Sequence, residues 1–361
     1  MTTPLSDIRA SGGSRALGRA ATLESRQRMP TPLTHTRAVL ALPALLHVFS
    51  ASVLAATLGL VSGVFWQYLG LIVVLIIGLV VVRRNEISGA RGLDAFLPFS
   101  RVIYCAPVAA FGTEHFVYAQ SIAGMVPNYI PFHMFWAIFC GVCLLAAALA
   151  IVVKVQDRLA ATMLGIMFFG FDALLIFPAI PQQLNDRFAW ALGFRELQFS
   201  AGALAYAGSL YRSRSSSAPH WLVTYARYVI GAGVLFYGVL QILHPEHGPA
   251  VPLELVTPGN IVLHGVWGYV CGAVYVVCGV CLLLNRRARE AASAAGITAL
   301  FMLLAVYAPY LYLQRGDIDS FNYFGDTLMY AGTLLLLAGS LPKEHAATES
   351  EALIKEGHAH A

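Results

Sequence analysis

The chain has 361 residues, of which 58% are hydrophobic and only 12% charged. Soluble domains carry roughly a quarter charged residues, so a water-soluble enzyme or binding domain is excluded and a polytopic membrane protein is expected. The net charge is +4, but the basic residues are scattered singly and in pairs between apolar runs; this excludes a nucleic-acid surface and makes them markers of topology.

Residues 1–37 are polar and Arg-rich and read as a disordered cytoplasmic tail, without the compact layout of a cleaved signal peptide. Apolar stretches close to the ~20 residues a spanning helix needs follow at 39–62, 64–82, 102–118, 132–153, 159–180, 190–211, 228–243, 261–284, 292–312 and 322–341, which makes ten expected spans. The first two come from one unbroken apolar run, too long for a single straight crossing. It divides at Ser62 and Gly63, beside the interfacial aromatics Phe65, Trp66 and Tyr68. With ten spans, 20 of the 23 Lys and Arg residues fall on one side and only Arg187, Arg195 and Arg315 on the other. That asymmetry predicts both termini in the cytoplasm.

A duplication organises the remainder. Between 127 and 178, 12 residues recur without a gap 131 positions later, among them His133/His264, Trp136/Trp267, Cys140/Cys271, Arg158/Arg289 and Pro178/Pro309. The expected fold is an all-α, polytopic transmembrane bundle with two parallel four-helix repeats. Its parts are an extra hairpin and basic loop at 38–97, repeats at 98–212 and 221–341, a polar linker at 213–220 and a short tail at 342–361.

Candidate functional residues are those the copies do not share. Glu114 and His115, near the outer end of the third span, correspond to Leu240 and Gln241; a carboxylate beside an imidazole can relay protons or orient a polar ligand. Asp172 lies inside the fifth span where the second copy has Leu303, and it needs a partner or a proton. Arg195, with Glu196 beside it, is the expected partner, and Asp326 is the matching position in the second copy. His133 and Trp136 share one helix face and could meet a ligand headgroup or quinone ring, although their recurrence fits interfacial anchoring. CGVC occurs at Cys140/Cys143 and at Cys278/Cys281, but not at matching positions, so these cysteines read as packing residues. HPEHG at 244–248 is weak as a metal site, and no metal is expected. The chain contains no phosphate-binding glycine loop, no dinucleotide fingerprint and no haem-attachment motif.

The segments FGTEHF (111–116), MVPNYIP (125–131), FWAIFCGV (135–142) and RLAATMLGIMFF (158–169), with LHGVWGYVCGAV (263–274) and NYFGDTLMYAGTLLLLAG (322–339) in the second copy, resemble the DoxX-like family of small four-helix bacterial membrane proteins. The resemblance covers about 98–341. It implies a multi-pass protein of the inner (plasma) membrane that serves as a subunit or accessory of a redox system for a quinone, thiol or sulfur compound, with a membrane-associated oxidoreductase as partner. An ion-coupled transporter, suggested by the parallel repeats and Asp172, and a non-catalytic scaffold are the alternatives.

Overall fold

A computed structural model describes residues 63–86, 91–211, 220–259 and 261–343, and every described element is helical. The first expected span, both tails and the 213–219 part of the linker lie outside the described residues. Helix α1 is Gly63–Asn85. A short helix α2 (Leu93–Phe96) and a 3-10 turn (Leu97–Phe99) lead into α3 (Ser100–Val117), and α4 (Ala119–Met125) follows. Then come α5 (His133–Val153), α6 (Asp157–Phe171), α7 (Arg187–Tyr211), α8 (Trp221–Leu243), α9 (His264–Leu283), α10 (Ala288–Met302), α11 (Ala308–Leu313) and α12 (Ile318–Ser340).

Seven helical stretches among the described residues are long and apolar enough to cross a membrane: Gly63–Arg84, Leu93–Val117, His133–Val153, Asp157–Gln182, Trp221–Leu243, His264–Leu283 and Ala288–Leu313. This is a membrane-embedded helical bundle. Two further helices, α7 and α12, have spanning length, with 25 and 23 residues, but are too polar to count by composition. Their place in the bundle explains why. Helix α12 packs against α3, α7, α8 and α10, and α7 against α6, α8 and α12, so neither needs an apolar face all round. The lipid-facing work falls to α1, α5 and α6, whose exposed side chains include Ile72, Ile76, Phe135, Phe139, Ile166 and Phe169.

Small residues allow the central contacts. A Cβ on Gly332 of α12 would lie 2.5 Å from the backbone nitrogen of Tyr104 in α3, and one on Gly238 of α8 would lie 2.6 Å from that of Val276 in α9. Without a hydrophobic drive between helices in lipid, such close backbone approach supplies the packing energy.

Helix ends differ from the sequence expectation where an arginine was taken to stop a span. Helix α8 starts at Trp221, seven residues before the expected 228, and includes Arg227, which is only 6% exposed. Its guanidinium donates to the carbonyls of Leu282 and, at 3.2 Å, Leu283, and it stacks on Tyr228 at 4.2 Å. The C-terminus of α9 thus absorbs the charge. Arg101 of α3 is likewise buried, gripping Glu86 with both terminal nitrogens, while Lys154 reaches the same carboxylate at 3.2 Å.

Helices α6 and α10 do not run evenly. Each passes into a π-helical turn, Asp172–Ile176 and Leu303–Tyr307, shortly before Pro178 and Pro309. Proline cannot donate back to the helix, and the carbonyl of Leu174 accepts instead from the Tyr129 hydroxyl at 2.8 Å. Such π turns concentrate at functional sites.

Glu86 lies just outside the spans. Burial works against its ionised form, but Arg101 and then Lys154 outweigh this and hold its carboxyl below the usual range. A carboxyl with a lowered folded-state pKa stabilises above its unfolded value and loses that contribution as pH falls through the folded value. Glu86→Gln is therefore expected to lower the thermal midpoint at pH 7, with the gap to wild type closing as pH drops below about 4.5, as read by melting curves in detergent across pH.

Candidate functional site

One end of the bundle, where α3 finishes and α5 and α7 begin, holds a cavity of about 610 Å³. Its wall is mostly apolar: Phe111 of α3, Ala137, Cys140 and Leu144 of α5, Phe168 and Phe171 of α6, Leu174 and Leu175 of the π turn, and Phe188, Leu192 and Phe199 of α7. Ile122, Met125, Val126, Pro127 and Ile130 cover it from α4 and the following loop. Polar groups converge at the base: Glu114 and His115 from α3, Arg195 and Glu196 from α7, Asn322 and Asp326 from α12. An apolar chamber with a few convergent polar groups is the usual form of a small-molecule site.

The charges are arranged around Arg195. Its guanidinium pairs with Asp326 across the α7–α12 contact and with Glu196 of its own helix, Nη2 to Oε1 at 2.6 Å and Nε to Oε1 at 3.2 Å. Glu114 takes no part in this cluster: its Oε1 accepts from Asn322 Nδ2 at 3.1 Å, and Asn322 Oδ1 accepts from Gln67 Nε2 of α1 at 3.3 Å. Asn322 and Asp326, one turn apart on α12, thus present one face to two carboxylates and a guanidinium.

The expected Asp172–Arg195 pair does not form. Asp172 is fully buried at the start of the π turn, neither carboxylate oxygen has a hydrogen-bond partner, and it is not part of the cavity wall. Arg195 turns to Asp326 on α12; α6 also packs against α7, but it passes into the π turn at Asp172. Glu114 and His115 also fail to form a pair. Neighbours on a helix point about 100° apart, and His115 Nδ1 lies 2.7 Å from the carbonyl of Phe111, one turn back on its own helix. Both side chains reach the cavity, so its other ring nitrogen is available to an occupant.

Trp136 lines the cavity, with its indole N–H donating to Pro131 O at 3.0 Å, but His133 is not in the wall. Trp267 makes the matching bond to Val262 O at 2.7 Å, so this bond secures a helix start in both places. Of the cysteines, Cys140 lines the chamber, and all six are free thiols. His244 and His247 lie 3.5 and 3.7 Å from Glu246, and among the described residues no three metal-binding side chains gather. Asn322 and Gln67 escaped the sequence reading because an amide carries no charge to mark it; their presence in apolar helices was the available signal.

The interior between α8, α9, α10 and α12 is packed with side chains. Tyr237, Tyr275, Tyr307 and Tyr330 are each at most 1% exposed, and Ala250, Val251 and Leu253 of the 244–259 loop are buried among the helices. Arg187 fastens that loop by donating to Pro252 O at 2.6 Å and Leu253 O at 2.9 Å, and the Tyr307 hydroxyl donates to Pro249 O at 2.9 Å.

No family model, curated protein or solved structure matches the chain.

Arg195 with Asp326 is a buried charge pair whose disruption leaves an uncompensated charge. Arg195→Gln and Asp326→Asn are each expected to cost about 3–5 kcal/mol, and the double variant less than their sum; unfolding midpoints of the three variants in one detergent give the cycle.

Proposed function

We propose that the chain is a DoxX-like protein of the bacterial plasma membrane. In this reading it consists of two tandem four-helix units, α3–α7 and α8–α12, with a first span at 39–62 and both termini in the cytoplasm. Several features support the duplication. The two π turns begin 131 residues apart, at Asp172 and Leu303. The left-handed residues Phe132, Lys154 and Gln156 are matched at the same interval by Leu263, Asn285 and Arg287. Helix α7 packs on α8 and α12 on α3, so each unit's last helix meets the other's first, as a twofold axis along the membrane normal requires.

Its role is that of a subunit or accessory of a membrane redox system, taking a quinone, thiol or sulfur compound into the chamber of the first unit. The observation that carries this is the 610 Å³ apolar chamber ending in Glu114, His115 and the Arg195 cluster, set against tyrosines and loop in the other unit. An oxidoreductase is the implied partner. Leu192→Trp, which fills the chamber from α7, is expected to abolish retention of lipophilic quinone on purification. Glu114→Gln and His115→Ala should lower substrate-dependent quinone reduction about a hundredfold or more, the lower bound for losing a proton-transfer group. Wild-type turnover in all three would refute the assignment.

One observation favours a transporter instead: the unpartnered Asp172 sits on a broken helical turn, where intramembrane carboxylates serve ion pathways. In that case Asp172→Asn abolishes solute uptake into proteoliposomes while leaving quinone retention intact.

A further inference from the structure

At the opposite end of the bundle a second crevice, of about 300 Å³, lies between the start of α3 and the ends of α5, α7 and α12. Its wall differs in kind from that of the apolar chamber, with Glu86, Asp94, Arg101, Lys154 and Arg289 among its lining residues. Two carboxylates organise four cations there. Glu86 binds Arg101 and Lys154, while Asp94 binds Arg289 at 2.6 Å and Lys343 at 2.6 Å. Each carboxylate is therefore shared by two positive groups, and the cluster keeps a surplus of two positive charges. Nearby Asp157, which accepts from the Tyr206 hydroxyl at 3.0 Å, is offset in charge by its neighbour Arg158, whose guanidinium stacks on Tyr211 at 4.6 Å.

Donors remain unused as well. Arg101 is 3% exposed, yet its Nε–H has no acceptor, a costly vacancy for a buried charged group. Lys154 and Lys343, with side chains 44% and 62% exposed, each spend one contact on a carboxylate and have further N–H groups to offer at the rim. Three crevice hydroxyls are already engaged: Ser209 donates to Tyr206 O, Ser340 to Leu336 O and Tyr206 to Asp157. A compact anion with several acceptor oxygens would meet Arg101, Lys154 and Arg289 in the wall, with Lys343 joined to it through Asp94.

We propose that this crevice is an anion site for a phosphate-bearing ligand, either the headgroup of an acidic phospholipid or a phosphate-bearing solute. It is independent of the chamber in the first unit and of any redox role. The surplus charge also explains why so many cations converge where surface ion pairs alone contribute little: a bound phosphate would tie α1, α3, α5, α10 and the chain after α12 into one ring.

The test is a thermal-unfolding titration of the full chain in nonionic detergent at constant ionic strength. The additives are dihexanoyl phosphatidylglycerol, dihexanoyl phosphatidylcholine and sodium phosphate. Saturable stabilisation by the phosphatidylglycerol alone identifies a lipid headgroup; equal stabilisation by phosphate identifies a solute. Either result supports the site. The rim variant Lys154→Gln/Lys343→Gln should then raise the half-saturating concentration about tenfold or more. Should that variant not fold, Lys343→Gln alone is expected to raise it about fivefold. No saturable shift with either anion, a shift as large with phosphatidylcholine, or an unchanged half-saturation in the variants overturns the proposal.

Discussion

The contact of Arg195 with Asp326 is the interaction on which the rest of the bundle depends. It crosses between α7 and α12, the two spanning-length helices too polar to face lipid, and so specifies which helices must be enclosed. In a bilayer a charge is tolerated only where protein surrounds it. Once α7 and α12 are central, the apolar helices α1, α5 and α6 have only the periphery left, where lipid replaces water as the solvent of their exposed faces. The same pair also lies in the chamber wall, where Glu196 shares the guanidinium and Glu114 is held separately by the Asn322 amide.

The bundle differs from place to place in what fills its interior. Between α8, α9, α10 and α12, four buried tyrosines and a loop held by Arg187 occupy it, with the Tyr237 hydroxyl donating to Ala191 O and that of Tyr307 to Pro249 O. Between α3, α5, α6 and α7, phenylalanines and leucines line an open chamber, and Ile122 and Met125 of α4 complete its wall.

Much of this was legible in the sequence, for identifiable reasons. Apolar run length is a direct physical requirement of the bilayer, so α5, α9 and their neighbours fall close to their expected positions. Arginine was a poorer guide: Arg101 and Arg227 looked like boundaries but are inside helices, because a nearby carboxylate or a neighbouring helix end neutralises them. Among site residues, Glu114, His115, Arg195 and Glu196 do meet in one chamber, since each sits at a comparable depth on a different or adjacent turn. The partnerships among them were not legible. Pairing depends on helix rotation and on the extra residue in the π turn, which separates Asp172 from Arg195 although charge alone would join them. The amides of Gln67 and Asn322 leave no trace in a charge count, yet they decide where Glu114 points.

The central proposal is that the chamber between α3, α5, α6 and α7 admits a lipophilic guest. Photo-crosslinking of the membrane-reconstituted protein with a diazirine-bearing quinone analogue, followed by peptide mapping, addresses it most directly. The account predicts adducts on Trp136, Phe171 or Leu192, displaced by excess unlabelled quinone, and none displaceable on α8 to α10. Displaceable adducts confined to the second half, or labelling spread evenly over the lipid-facing surface and indifferent to competitor, would contradict it.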